Sequence, residues 1–213
     1  MEIINPEIAL YSEKYTTPES PVLATLNRET FAKVLMPRML SGHLQGQLLS
    51  MLSLMIRPEQ ILEIGTYTGY SAICLASGLS EGGMLHTIDI NDELAPMVSR
   101  FVTEAKLSNK IKMYTGNAME IIPKLNQTFD LVFIDADKTN YSNYYDLVFD
   151  KVQHGGFILA DNVLWDGKVV ETESAMDADT KAITAFNKKV RDDKRVQHVL
   201  LPVRDGLMIV RKN

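Results

Sequence analysis

The sequence predicts an α/β fold built on a doubly wound, mostly parallel sheet, and three observations carry that prediction. Beyond residue 60, short apolar runs alternate with helix-patterned stretches, the rhythm of parallel strands joined by crossover helices. The first run stops at an acid and a glycine, Glu63-Ile64-Gly65, as a strand entering a tight turn does. Near the C-terminus two apolar stretches, 196–203 and 207–210, are parted only by Arg204-Asp205-Gly206, which reads as an antiparallel hairpin closing the sheet.

Residues 1–17 are polar and weakly patterned and are expected to form a loose or partner-docked arm. A helix is predicted from residue 18 up to Pro37, with Val22, Leu23, Leu26, Phe31, Val34 and Leu35 on an irregular apolar face. A loop over 37–42 and a second helix over 43–56, with Leu44, Leu48, Leu52 and Met55 near helical spacing, precede the first strand. After the glycine turn the pattern is helical through Tyr70, Ile73, Cys74, Leu75 and Leu79, and the second strand is 84–89. The third strand is placed at 110–115, a short helix at 117–125, and a fully buried fourth strand at 129–134. A helix over 141–152, a fifth strand over 157–160 and a helix over 179–192 with Ile183, Phe186 and Val190 on one face lead into the hairpin.

With 213 residues, 46% of them hydrophobic and 23% charged, the chain has the proportions of one well-packed globular domain and is short for two. The net charge of -5 argues against a broad phosphate-binding face. Cys74 is the only cysteine, so no internal disulfide can form, and its apolar neighbours mark it as a core residue rather than a nucleophile. The N-terminus has no basic segment followed by an apolar block, and the richest apolar run, 48–56, is too short to span a bilayer. A cytoplasmic protein with no membrane partner is expected.

The turn Gly65-Thr66-Tyr67-Thr68-Gly69 lets a ligand approach the main chain, while the free N–H groups of the following helix face it. A dinucleotide fingerprint would need a second glycine at position 67, where Tyr67 stands. Asp89 ends the second strand about where doubly wound folds put the acid that binds a ribose diol. Glu63 would repel a pyrophosphate but can pair with an ammonium group. A ribose, an ammonium and no phosphate describe S-adenosylmethionine. The plainer alternative is a tight βα turn with Glu63 and Asp89 as ordinary strand ends.

Two further strand ends carry chemistry: Ile134-Asp135-Ala136-Asp137-Lys138 and Ala160-Asp161-Asn162. Both reach the carboxyl rim, where open α/β sheets bind ligands. If the two strands are neighbours, the oxygens of Asp135, Asp161 and Asn162 can converge on one ion. An all-oxygen set suits a hard cation, magnesium first, with manganese or calcium as alternatives, and suits zinc poorly. Such an ion can hold two adjacent hydroxyls and activate one, with Lys138 three residues past Asp135 to take the proton. The alternative is that Asp135, Asp137, Asp161 and Asn162 are turn formers and helix caps.

With these motifs in view, the chain resembles the cation-dependent S-adenosylmethionine O-methyltransferases of the caffeoyl-CoA and catechol type. The resemblance rests on residues 62–71 (LEIGTYTGYS), 87–90 (TIDI), 116–118 (GNA), 133–138 (FIDADK) and 161–167 (DNVLWDG), in family order from about residue 39 to the C-terminus. It implies a seven-stranded, Rossmann-like class I methyltransferase fold over 1–213, with 1–57 as a helical cap and 58–213 as the core. It implies that Glu63, Gly65 and Ser71 hold the methionine part of the cofactor, Asp89 the ribose, and Ala118 the adenine pocket, with Ser41 and Asp135 also bordering the cofactor. It implies Asp135, Asp161 and Asn162 as metal ligands, Lys138 as base with Asp135 beside it in catalysis, and a homodimer.

Plant-type members carry an acidic Ala-Asp-Glu-Gly segment where this chain has Gly42-His43-Leu44-Gln45-Gly46, so the acceptor is expected to be recognised differently there. Trp165 and the loop to Met176 are expected to form the other wall or simply to pack, and His43 to begin a helix or line the pocket. The leading expectation is methyl transfer to a small catechol-like phenol. The alternatives are methylation of a hydroxylated uridine in tRNA, which the acidic balance disfavours, and a non-catalytic S-adenosylmethionine-binding module, which intact ligands and base disfavour.

Overall fold

The computed structural model describes residues 5–213. The first helix, α1 (Pro6–Lys14), starts where the Asn5 side-chain oxygen accepts the Glu7 N–H at 2.9 Å and Pro6 takes the first helical position. The arm expected to be loose or partner-docked is helical over that span, and its residues 1–4 lie outside the described residues. Helix α2 (Pro21–Lys33), capped by Ser20, ends earlier than expected. Val34 is extended and Met36 left-handed, and Pro37 bars Met36, the residue before it, from a right-handed helix. Pro37–Met39 forms a 3-10 turn rather than open loop, and α3 (Gly42–Ile56) follows.

The strands are β1 (Gln60–Ile64), β2 (Met84–Asp89), β3 (Ile111–Thr115), β4 (Phe129–Ile134), β5 (Val152–Asp161), β6 (Val196–Leu201) and β7 (Leu207–Lys212). They form one seven-stranded sheet in the order β3-β2-β1-β4-β5-β7-β6. The pairs among β1 to β5 are parallel, and β7 runs antiparallel to both its neighbours. The chain thus winds outward from β1 in one direction and from β4 in the other, so the β1/β4 boundary is the switch point at which such sheets bind ligands. The last strand does not sit at the edge. Leu207, Met208 and Val210 of β7 are buried, whereas Gln197, His198 and Val199 of β6 are exposed, so the more apolar strand takes the inner place.

The crossover helices are α4 (Tyr70–Ala76), α5 (Ala95–Glu104), α6 (Ala118–Ile121, extended by a 3-10 turn to Lys124), α7 (Tyr141–Phe149) and α8 (Ala178–Asp192). Helix α5, which buries Val98, Phe101 and Val102, is not among the elements read from the sequence. Helix α7 stops at Phe149 instead of running to Val152, which opens β5. The apolar spacing of Val148, Phe149 and Val152 mimics a helix, while the pairing slips from Phe129↔Val152 to Leu131↔Phe157 around a bulge containing Gly155. Strand β5 therefore has ten residues, not four.

The core has two layers. Ile64, Val132, Ile134, Ile158 and Val210 meet Tyr141, Tyr145 and Phe186 of α7 and α8, while Ile61, Leu131, Phe133 and Leu159 meet Leu49, Leu75 and Phe101 of α3 to α5. Cys74 is buried in the second layer, as expected. At the end of the sheet remote from the glycine turn, a groove of about 510 Å³ runs between Leu52 and Ile56 of α3 and Phe157, Leu159, Ile209 and Arg211. No described helix is long and apolar enough to cross a membrane.

Gly65 sits at the switch point with φ +99°, and a Cβ there would lie 1.9 Å from the Asp135 carbonyl oxygen, a backbone atom with nowhere to go. Gly82 has a similar φ of +77° but open space around it. Gly82→Ala is expected to cost about 1 kcal/mol of left-handed strain. Gly65→Ala adds the clash and is expected to exceed about 3 kcal/mol. Urea midpoints check this, and equal losses in the two variants would contradict the reading of the switch point.

Candidate active site

The turn after β1 is held from both sides. Gly65 N–H donates to the Ile88 carbonyl at the end of β2, and Asp135 N–H donates to the Ile64 carbonyl, each at 2.9 Å. Asp89 then binds the turn itself: its Oδ2 accepts the N–H groups of Thr66 at 2.9 Å and Tyr67 at 2.7 Å, and its Oδ1 accepts that of Asn91 at 2.9 Å. The acid expected at the ribose is thus also the clasp that holds the glycine turn. Tyr67 takes a left-handed φ of 49° and sends its hydroxyl to the carbonyls of Leu35 and Met36, so the segment after α2 borders the turn. Thr66, Tyr67, Asp89, Asn91, Val98 and Met113 line a cleft beside it.

Glu63 lies fully buried behind the turn. Thr87 Oγ1 donates to its Oε2 at 2.5 Å, whereas Oε1 has no hydrogen-bond partner among the described residues. Burial pushes this carboxyl up to about 8, with the hydroxyls of Ser71 and Thr87 opposing and the charges of Asp135 and Asp89 adding to the rise. A buried carboxyl with an unused oxygen suits a cationic ligand group. Ser71 is buried in the first turn of α4. Ala118 is buried at the start of α6, where Asn117 caps the helix by accepting Met119 N–H at 2.9 Å, and Ser41 is buried just before α3.

The strand ends of β4 and β5 are neighbours, as the expected site requires. The Lys138 ammonium, 9% exposed, donates to Asp135 Oδ1 at 3.1 Å, Asn162 Oδ1 at 2.8 Å and Tyr141 Oη at 2.7 Å. Two of the three expected metal-ligating oxygens therefore converge on one cationic group. The third, Asp161, is 2% exposed and lies close enough to Asp135 that, after burial itself, the Asp135 charge is the main cause raising its pKa above the ordinary carboxylate range. Its Oδ1 accepts Asn162 N–H at 2.8 Å and its Oδ2 accepts Gln45 Nε2–H at 2.5 Å. Among the described residues no three His, Cys, Asp or Glu side chains form a metal-binding group. Two carboxylates and an amide oxygen instead fit a hard ion that keeps waters or substrate oxygens in its other positions.

Asp137 belongs to the turn, not the rim: it accepts the Tyr144 hydroxyl at 2.5 Å and Asn140 Nδ2 at 2.6 Å. For that residue the turn-former reading holds. His43 contacts the Thr17 carbonyl at 2.6 Å at the start of α3. Trp165 packs against the core, its ring 5.6 Å from Lys138 Nζ.

Three residues not anticipated from the sequence join the cluster. Tyr141 donates to the Asp161 carbonyl at 2.9 Å while accepting from Lys138. Gln45 reaches Asp161, and Arg204 donates to Gln45 Oε1 at 2.6 Å and to the Ser41 carbonyl. No local signal marks Gln45, since the apolar spacing read for its helix runs through Leu44, Leu48, Leu52 and Met55.

A family model described as O-methyltransferase matches residues 12–213. Caffeoyl-CoA O-methyltransferase 2 of Eucalyptus globulus is 34% identical over 221 residues, covering 96% of this chain and 88% of that protein. The O-methyltransferase from Bacillus cereus, solved in complex with SAH, has a TM-score of 0.89 at 28% identity over 97% of both chains. The O-methyltransferase TomG from Streptomyces achromogenes, involved in tomaymycin synthesis and solved with SAM, also has a TM-score of 0.89, at 25% identity over 97% of this chain and 96% of that one. With a match that runs almost end to end and a relative a third identical over nearly its whole length, the chain belongs to the O-methyltransferase family of enzymes.

Proposed function

We propose that this S-adenosylmethionine-dependent O-methyltransferase uses a divalent cation, magnesium in the first instance, and methylates one hydroxyl of a small catechol-like phenol. The observation that carries the proposal is the meeting of Asp135 and Asn162 oxygens at Lys138 on the rim beside the glycine turn, with the Asp161 carboxylate next to them. Solved relatives hold SAH or SAM, which supports S-adenosylmethionine as methyl donor. Glu63, Gly65 and Ser71 take its methionine part, Asp89 the ribose and Ala118 the adenine side, with Ser41 and Asp135 at its border. The unused Glu63 Oε1 supports an ammonium partner there.

Asp135, Asp161 and Asn162 would hold the cation. When bound, the cation would fix two adjacent acceptor hydroxyls and lower the pKa of one. In its neutral amine form, with a lone pair in place of one of the three donated hydrogens, Lys138 would take the departing proton at Nζ, which the Tyr141 hydroxyl and the flanking Tyr141 and Trp165 rings, 4.8 and 5.6 Å away, keep in place. Much of the rate enhancement comes from orientation, because the protein aligns one acceptor oxygen with the donor's methyl group. Relatives named for caffeoyl-CoA make a catechol-bearing thioester part of the acceptor class to be tried. A homodimer belongs to the same proposal, supported by the exposed apolar Met51, Leu54 and Met55 of α3. Sedimentation as a monomer at micromolar concentration would remove it.

Methyl transfer from S-adenosylmethionine to simple catechols and catechol thioesters tests the reading. Lys138→Met is expected to bind S-adenosylhomocysteine normally and to lose about a hundredfold or more of turnover. Undiminished turnover would take Lys138 out of the mechanism.

Glu63 offers a test without substrate. Its carboxyl holds a proton up to about pH 8 in the folded chain but only to the ordinary carboxylate range when unfolded. Between those values the folded state binds more protons, so stability falls as pH rises through that window. Glu63→Gln is expected to flatten the fall in urea midpoint between pH 5 and pH 8, and an identical slope in the variant would contradict the assignment.

A further inference from the structure

We propose that Gln45 and Arg204 are positioning residues that fix the orientation of the Asp161 carboxylate and thereby set the affinity of the rim for its divalent cation. The inference rests on the reading of Asp161 as a cation ligand and extends it to two side chains that act through that carboxylate.

Hydrogen-bonding capacity fixes how the Gln45 amide sits. A guanidinium can only donate. Arg204 Nη1 lies 2.6 Å from one end of the Gln45 amide, so that end is the oxygen and the other end is the NH2 group. The NH2 group meets Asp161 Oδ2 at 2.5 Å. Asp161 Oδ1 is already held by Asn162 N–H at 2.8 Å. Each carboxylate oxygen thus has one donor and one remaining direction for an ion. The terminal torsion of an aspartate is otherwise soft and roughly two-fold, so without Gln45 the carboxylate can turn about its own bond. Gln45 itself is 2% exposed and cannot exchange this contact for water freely.

Arg204 belongs to an element that fastens both sides of the rim. It stands in the turn between β6 and β7 with a left-handed φ of 50°, and it also donates to the Ser41 carbonyl just ahead of α3. The same turn grips the segment following Asn162. Leu164 N–H donates to the Asp205 carbonyl at 2.8 Å, Val163 N–H to the Gly206 carbonyl at 3.2 Å, and Asp166 N–H to Asp205 Oδ1 at 2.5 Å. Gly206 is pressed so close that a Cβ would lie 2.5 Å from Leu164 Cγ. Asp161 is oriented through Gln45, and the chain leaving Asn162 is held by backbone bonds from the neighbouring residues of one turn. Outer partners of this kind commonly govern metal affinity by ten- to a hundredfold.

The test uses the 213-residue enzyme, stripped with chelator, and its Gln45→Ala, Arg204→Ala and Asp161→Ala variants. Manganese binding is read from the electron paramagnetic resonance signal of free Mn²⁺, S-adenosylhomocysteine binding by calorimetry, and folding by thermal melting. Gln45→Ala is expected to weaken Mn²⁺ about tenfold or more. Arg204→Ala, on an exposed turn, is expected to weaken it less, because Gln45 stays but is free to flip. Gln45→Ala is expected to keep S-adenosylhomocysteine affinity, a split that a merely structural tie would not give. Mn²⁺ affinity unchanged in both variants, while Asp161→Ala loses it, would overturn the positioning role alone. Unchanged Mn²⁺ binding in Asp161→Ala would overturn the cation-ligand reading and the inference with it. If Gln45→Ala does not fold, Arg204→Ala decides.

Discussion

The site depends on a close approach between two backbones: the residue after β1, Gly65, and the residue after β4, Asp135. The Asp135 carbonyl oxygen occupies the space a side chain on residue 65 would need. Two hydrogen bonds of 2.9 Å, from Gly65 to Ile88 and from Asp135 to Ile64, hold that contact in register with β2. It sets how far the glycine turn stands from the acid-bearing rim. In methyl transfer donor and acceptor must be aligned within ångströms. A single glycine at the switch point therefore couples the two halves of the site.

The second constraint is electrostatic. Glu63, Asp135 and Asp161 lie close enough that Asp135 raises the pKa of both of the others. Lys138 answers Asp135, and Arg204 reaches Asp161 through Gln45. Burial still leaves Glu63 and Asp161 with carboxyls above their ordinary range, and a cationic partner is what lowers that cost. A divalent ion at the rim and an ammonium at Glu63 would each supply such a charge.

Much of this was readable from local sequence because strand ends announce themselves. The runs at 61–64, 84–89 and 129–134 break at an acid or glycine, and each break is a residue of the proposed site. The hairpin was legible from its short turn, but the insertion of β7 between β5 and β6 was not, since it follows from which strand is more apolar across a pairing. The helix-like spacing over 141–152 concealed a bulge, because a bulged strand loses its alternation. Asp135 and Asp137 look alike in local sequence; the Tyr144 hydroxyl and the Asn140 amide on Asp137, and Lys138 on Asp135, separate them. Gln45 and Arg204 were beyond local reading, being 116 and 159 residues from the partners that give them meaning. The family resemblance filled in Ser41, Ser71 and Ala118, for which local chemistry offers little signal.

The central claim is that oxygens from Asp135, Asp161 and Asn162 hold a divalent ion that the reaction needs. The most direct measurement is methyl transfer from S-adenosylmethionine to a catechol by enzyme freed of metal with a chelator, with magnesium then returned in steps. No methylated product is expected before the addition, and a saturable rise is expected with magnesium. Full turnover in excess chelator would contradict it.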